Sequence, residues 1–125
     1  MKLKNILLVV EDIERSQAFY RDLFGLKRIT DLGGNIILTE GLVLQDRRIW
    51  QESLGKEVGE PSEVMELYFE ENNLDSFLIR LETYPEPIRF LHPLQELSGK
   101  QRIIRLYDPD GHLLEVREIG KPSEE

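Results

Sequence analysis

The spacing of apolar residues changes along this chain from strand-like to helical and back to strand-like, and then the whole cycle repeats. Residues 3–10 form an apolar run of strand length, and from Asp12 onward the spacing becomes helical, with Ile13, Phe19, Tyr20, Leu23 and Phe24 on one stripe. Asp12 is a good N-cap, and Gly25 closes the helix at its other end. Residues 27–31, 35–40 and 42–47 read as three strands, divided at Gly33-Gly34 and at Gly41. The second cycle opens with a strand over 63–70 and a helix over 74–83 that Asn73 caps and that Pro85 and Pro87 end; strands follow near 88–91, 101–107 and 112–118. Between the last two, Asp108-Pro109-Asp110-Gly111 has the residues of a tight turn, with Pro fixing one φ and Gly allowing a positive one. Residues 48–62 are polar, contain Gly55, Gly59 and Pro61, and read as a loop in which Ile49, Trp50 and Leu54 would cover neighbouring surface.

The two cycles can be laid over one another. Asn5 to Ile13 and Glu66 to Leu74 share a layout at a shift of 61 positions, which places Asp12 on Asn73 and Asn5 on Glu66. A second match, at a shift of 70, lays Gly41-Leu42-Val43-Leu44-Gln45 over Gly111-His112-Leu113-Leu114-Glu115, so that Gln45 answers Glu115. Four polar side chains then stand in apolar strands at matching places, as a pseudo-two-fold cleft requires.

Composition removes several classes of function. A chain of 125 residues fits one domain and supports a core without staples. With no cysteine there is no disulfide, thiolate metal site or cysteine nucleophile. A net charge of −8 and the lack of a basic stripe argue against a nucleic-acid partner. The apolar run after Lys2 and Lys4 is cut short by Glu11 and Asp12, so no export signal is expected, and no stretch reaches membrane-spanning length. The expected location is cytoplasmic, with no membrane partner.

Two segments bear a family resemblance. Val9 to Leu26, with its Glu11-Asp12-Ile13 opening and its Phe19-Tyr20-Arg21-Asp22-Leu23-Phe24-Gly25 close, resembles the start of proteins of the vicinal oxygen chelate superfamily. That superfamily includes glyoxalase I, fosfomycin-resistance transferases, bleomycin-resistance proteins and extradiol dioxygenases. Tyr107 to Glu115, around Asp108-Pro109-Asp110-Gly111, resembles its closing hairpin, and the likeness extends over residues 2–118. The resemblance implies an α+β fold of two βαβββ modules forming a cup-shaped mixed sheet, as a single domain over 1–119. The modules would span about 1–47 and 63–119, with a linker over 48–62 and a loose tail over 120–125. It also implies a homodimer whose subunits share their sites around a small-molecule ligand.

Members that bind metal draw ligands from the first and last strands of each module. The corresponding positions are Asn5, Gln45, Glu66 and Glu115. Glu115 matches the family pattern, while Asn5 and Glu66 stand where single-metal members commonly carry His. Oxygen donors of this kind suit hard cations, and the Fe(II) site that activates oxygen uses two imidazoles, so a dioxygenase is disfavoured. The expected cofactor is a divalent metal (Mg, Mn, Ni or Zn) or none. With a metal, Glu66 and Glu115 would be its anchors and the catalytic carboxylates of a lyase, isomerase or transferase acting on neighbouring oxygens. Without one, the chain would sequester a ligand as bleomycin-resistance proteins do, or serve only in regulation. Trp50, His92 and Arg105 are expected to touch the ligand. Arg89 and Arg102 could meet an anion, but the abundant carboxylates make salt bridges the better expectation for all three arginines, and His112 reads as a structural neighbour of its turn.

Overall fold

The computed structural model describes residues 1–120, apart from the side chain of Lys100; most of the tail expected to be loose lies outside the described residues. The chain divides into two compact units, Met1–Glu60 and Pro61–Glu125. Among the described residues no helix is long and apolar enough to cross a membrane.

The first unit runs β1 (Ile6–Val10), α1 (Ile13–Phe24), β2 (Arg28–Asp31), β3 (Asn35–Leu38), β4 (Leu42–Asp46) and α2 (Arg47–Leu54). Its sheet has the order β1-β4-β3-β2, with β1 and β4 parallel and the other pairs antiparallel. Helix α1 starts where Asp12 accepts a hydrogen bond from the Arg15 amide (3.1 Å), and it stops at Gly25, whose φ of 70° only glycine adopts cheaply. Alternate strand residues Leu8, Val10, Ile36 and Leu44 are buried together with Phe19, Tyr20 and Leu23 of the helix. Each such side chain contributes about 2 kcal/mol by leaving water. Gly41, with φ 77°, is needed at the entry to β4: a Cβ there would stand 2.9 Å from the Lys4 carbonyl oxygen.

The second unit repeats the plan as β5 (Leu67–Glu71), α3 (Leu74–Thr83), β6 (Arg89–Glu96), β7 (Arg102–Tyr107) and β8 (Leu113–Glu118), in the order β5-β8-β7-β6 with β5 and β8 parallel. Asn73 caps α3 through the Ser76 amide (3.1 Å). Leu74, Phe77 and Leu81 of α3 are buried, as are Ile104, Leu106, Leu114 and Val116 of the sheet. Each unit is therefore a βαβββ module of an α+β fold.

Two elements depart from expectation. Part of the segment expected to be a loop over 48–62 is helix α2. Asp46 caps it through the Ile49 amide (3.0 Å), and Gly55 ends it at φ 71°. Arg47 braces it against Glu11 (2.6 Å) and the Val58 carbonyl (3.0 Å). The caps were present in the sequence, but eight mostly polar residues gave the helix too little apolar stripe to stand out. Strand β6 reaches Glu96, well past the expected end near residue 91, and runs through Pro93. An edge strand tolerates a residue without an N–H, and the ladder to β7 slips at two places along it.

Candidate functional site

In each module one side of the sheet packs on the helix and the other is turned away from it. On the first module the turned-away positions are Leu7, Val43 and Ile37 in one cross-strand row and Val9, Gln45 and Asn35 in the next. Gln45 is only 6% exposed. Its oxygen accepts from the Asn35 side-chain amide (2.7 Å) and its nitrogen donates to the Gly34 carbonyl (2.9 Å), so both ends of this amide fasten the turn between β3 and β4. Asn5 lies exposed just ahead of β1, and Trp50 is half-buried on α2.

The ladders correct the proposed equivalence of Gln45 and Glu115. Val9 faces Gln45, whereas Tyr68 faces Glu115. With Asp12 matched to Asn73, Leu7 corresponds to Tyr68 and Val9 to Glu70. The counterpart of Glu115 is then Val43, the partner of Leu7, and the counterpart of Gln45 is Arg117, the partner of Glu70. The reason is turn length. Residues 39–41 join β3 to β4, whereas residues 108–112 join β7 to β8, so matching Gly41 to Gly111 slips the alignment by two positions without changing faces.

On the second module the turned-away row through Glu115 runs Tyr68, Glu115, Arg105, His92. Glu115 is buried at 4% exposure. Arg105 donates to its Oε1 through Nε (2.9 Å) and Nη2 (2.7 Å), and Arg117 approaches Oε2 at 3.3 Å. His92 contacts the Pro93 carbonyl through Nδ1 (2.8 Å) and Arg105 Nη1 through Nε2 (3.1 Å). A carbonyl can only accept, so the contact with Pro93 suits a proton on Nδ1, and Nε2 is the ring nitrogen turned to the guanidinium. Glu66, just before β5, brings its carboxyl to that of Glu115. Desolvation first, then the charge of Glu115, raises the Glu66 pKa above its ordinary value, and the hydrogen bond with Glu115 adds to this; Arg105 and Arg117 oppose the shift. The residue is otherwise exposed, so the desolvation is local to the carboxyl. Glu115 is the ion-paired member of the pair, and Glu66 is the member whose protonated form the surroundings favour.

The structure thus brings Glu66, Glu115, Arg105 and His92 into one cluster within the second module. Sequence reasoning missed Arg117, which completes the bracket around Glu115, and Tyr68, which is 48% exposed beside it and donates to Glu70 (2.9 Å). The signal was the period-two run Glu66, Tyr68, Glu70 leading into and along β5, matched by Glu115 and Arg117 on β8. The salt-bridge reading holds for Arg102, paired with Glu118 (2.7 Å) and Asp75 (3.0 Å), and for Arg105. Arg89 instead stacks over the Tyr107 ring at 4.2 Å.

The donor set does not fit a resident dication. Both oxygens of Glu115 face guanidinium groups, its first-module counterpart is the hydrocarbon Val43, and the Gln45 amide is spent on its own turn. A second group of potential ligands, Asp108, Asp110 and His112, has its ligand atoms within 4.8 Å of one another. Asp108 is already committed to the turn: Oδ1 accepts from the Asp110 and His112 amides (3.0 and 2.9 Å) and Oδ2 meets His112 Nδ1 (2.7 Å). His112 is accordingly a turn residue, as its position suggested.

A fold of paired βαβββ modules with a polar cluster on the last strand of one is the architecture expected of the vicinal oxygen chelate superfamily. The sequence model of the glyoxalase-like domain matches residues 3–120, and the chain belongs to that family. Among solved structures it is similar to a protein of unknown function from Agrobacterium tumefaciens, at 33% identity over 95% of this chain and 94% of that one, with a TM-score of 0.80. A lactoylglutathione lyase from the same species (23% identity, 94% and 92% covered, TM-score 0.69) shares the fold. So does a fosfomycin resistance protein from Listeria monocytogenes (19%, 95% and 93%, 0.73). A search of the curated proteins gave no match.

Proposed function

We propose that this glyoxalase-like domain binds a small molecule with neighbouring oxygen atoms on the face of its second module turned away from the helix, and does so without a metal. The observation that carries the reading is the bracketing of Glu115 by Arg105 and Arg117 while the Glu66 carboxyl, with its raised pKa, meets it. In this arrangement guanidinium groups supply the positive charge that a dication would otherwise bring. Remaining N–H groups of Arg105 and Arg117 can donate to ligand oxygens. Glu66 is the acid–base group, able to give its proton to a ligand oxygen or take one back, with Glu115 holding it in place. Exposed Tyr68 beside the cluster supplies an aromatic wall. We expect the protein to act as a homodimer, and Trp50 and Asn5 of the first module stay candidates for ligand contact. The expected setting is the cytoplasm.

A second reading, a divalent-metal-assisted lyase, isomerase or transferase, has one observation in its favour: two carboxyls, Glu66 and Glu115, adjoin, and both are hard oxygen donors. Elemental analysis of the purified chain together with thermal-shift titration against Mg²⁺, Mn²⁺, Ni²⁺ and Zn²⁺ separates the two. The metal-free reading expects no stoichiometric metal and no cation-dependent rise in melting temperature. A stoichiometric ion that is lost in Glu115→Gln would overturn it in favour of the second.

A further inference from the structure

On the opposite side of the second module's sheet, beside helix α3, part of edge strand β6 is left bare. A groove of about 630 Å³ opens there. Its walls are Leu78 and Leu81 of α3, Phe90 and Leu94 of β6, and Ile104 of β7. Phe90 pairs with Leu106, which is buried on the helix side, so this groove is on the far face of the sheet from Glu115 and Arg105. Phe90 and Leu94 remain 44% and 39% exposed, an apolar surface that the fold itself does not cover. The rim is acidic. Glu82 and Glu86 border it, no basic residue lines it, and neither carboxylate enters an ion pair among the described residues. Arg80 of the same helix is turned to Glu71 (3.5 Å) and the Phe77 ring, and Arg89 to Tyr107 on the other face.

The geometry points to a second binding site, distinct from the Glu66–Glu115 cluster, for a small organic cation with an apolar body. Charge complementarity selects the cation: two unneutralised carboxylates border an otherwise apolar hollow on a chain of net charge −8, which raises the local concentration of cations and repels anions. The volume lies within the range of drug-sized ligand sites, and the exposed Phe90 ring in its wall suits a cationic centre. The ligand's hydrocarbon or aromatic part lies against Phe90 and Leu94, and its charge lies between Glu82 and Glu86.

The test is a titration of the full chain, labelled with ¹⁵N, with benzyltriethylammonium, followed by backbone amide shifts. Benzyl alcohol and benzenesulfonate serve as neutral and anionic controls. The expected result is saturable shifts along 78–94, weaker binding of benzyl alcohol and none of benzenesulfonate. The double variant Glu82→Gln/Glu86→Gln, on exposed positions that leave the core untouched, should raise the dissociation constant about tenfold. Leu94→Lys should abolish binding while Glu66→Gln leaves it unchanged. The site is overturned if the ammonium gives no saturable shifts at millimolar concentration, if it shifts β5 and β8 around Tyr68 and Glu115 instead, or if the double Gln variant binds it as tightly as the parent.

Discussion

Leu7, Val9, Val43, Ile37 and Gln45 of the first module stand at the ladder positions that Tyr68, Glu70, Glu115, Arg105 and Arg117 occupy in the second. On the helix-facing side the correspondence is conservative: Leu8, Leu44 and Ile36 answer Phe69, Val116 and Ile104. One side of the sheet must exclude water whatever the module does, so hydrophobic packing fixes its chemistry. The other side does not pack on the helix, and there one module has become hydrocarbon with an amide pair while the other has gathered two acids and two guanidinium groups. A charged residue survives at a nearly buried strand position only if its partner is built beside it, and Arg105 is that partner for Glu115. Ile37, at the same place in the first module, could not serve one.

The largest expected effect tests this directly. Val43→Glu copies the second module's acid into the first without its guanidinium, at a position only 4% exposed. An unpaired buried carboxylate should cost about 3 kcal/mol or more, read from the midpoint of urea denaturation. Adding Ile37→Arg should recover part of the loss. A single substitution that costs under about 1 kcal/mol would mean that partnering does not decide which module carries charge.

Next in size is the converse change. Glu115→Leu makes the second module resemble the first and leaves Arg105 and Arg117, each with side chain 32% exposed, facing hydrocarbon. Because those guanidinium groups retain some water, the expected loss is about 2 kcal/mol, smaller than for the first variant. Combining it with Arg105→Leu should cost less than the two single losses added together, and a double-mutant cycle measures the difference. Strict additivity would show that the 2.7 Å contact carries no coupling.

Most of the fold was legible because both modules announce themselves through the same local chemistry: a capping Asp12 or Asn73, a helical stripe, and strand runs punctuated by Gly41 or by the Asp108–Gly111 turn. Helix α2 was harder to see, since its two caps enclose mostly polar residues. The cluster was only half legible. Glu66 and Glu115 are visible as acids in strand-like sequence, but which residues face them depends on ladder register, and register here turns on two extra residues in the turn between β7 and β8. That detail moved the counterpart of Glu115 from Gln45 to Val43, and it brought in Arg117, whose signal was its period-two spacing from Glu115. The bulges of β6 likewise put His92 opposite Arg105, a pairing that simple alternation would not yield.

The smallest effect concerns the proton on Glu66. Its pKa lies above the ordinary glutamate value of 4.5, so the folded state favours the protonated carboxyl more than the unfolded chain does. That contribution to stability is fully present below the unfolded value and disappears as pH rises through the raised pKa; at neutral pH the ionised carboxyl beside Glu115 is a cost to the fold. Glu66→Gln keeps a hydrogen-bond donor for Glu115 and removes the charge. The variant should therefore be more stable than the parent at pH 7, by on the order of 0.5 kcal/mol once solvent screening of this exposed residue is allowed for. Repeating the denaturation at about pH 4 should shrink the gap toward zero. The first module offers the control, since Asn5, which stands where Glu66 does, has no charge to lose, and Asn5→Gln should show no comparable pH dependence. A Glu66→Gln variant that is less stable at pH 7 would mean that Glu66 serves the fold as an anion for Arg105, and the shared-proton pair on which the acid–base role rests would fall.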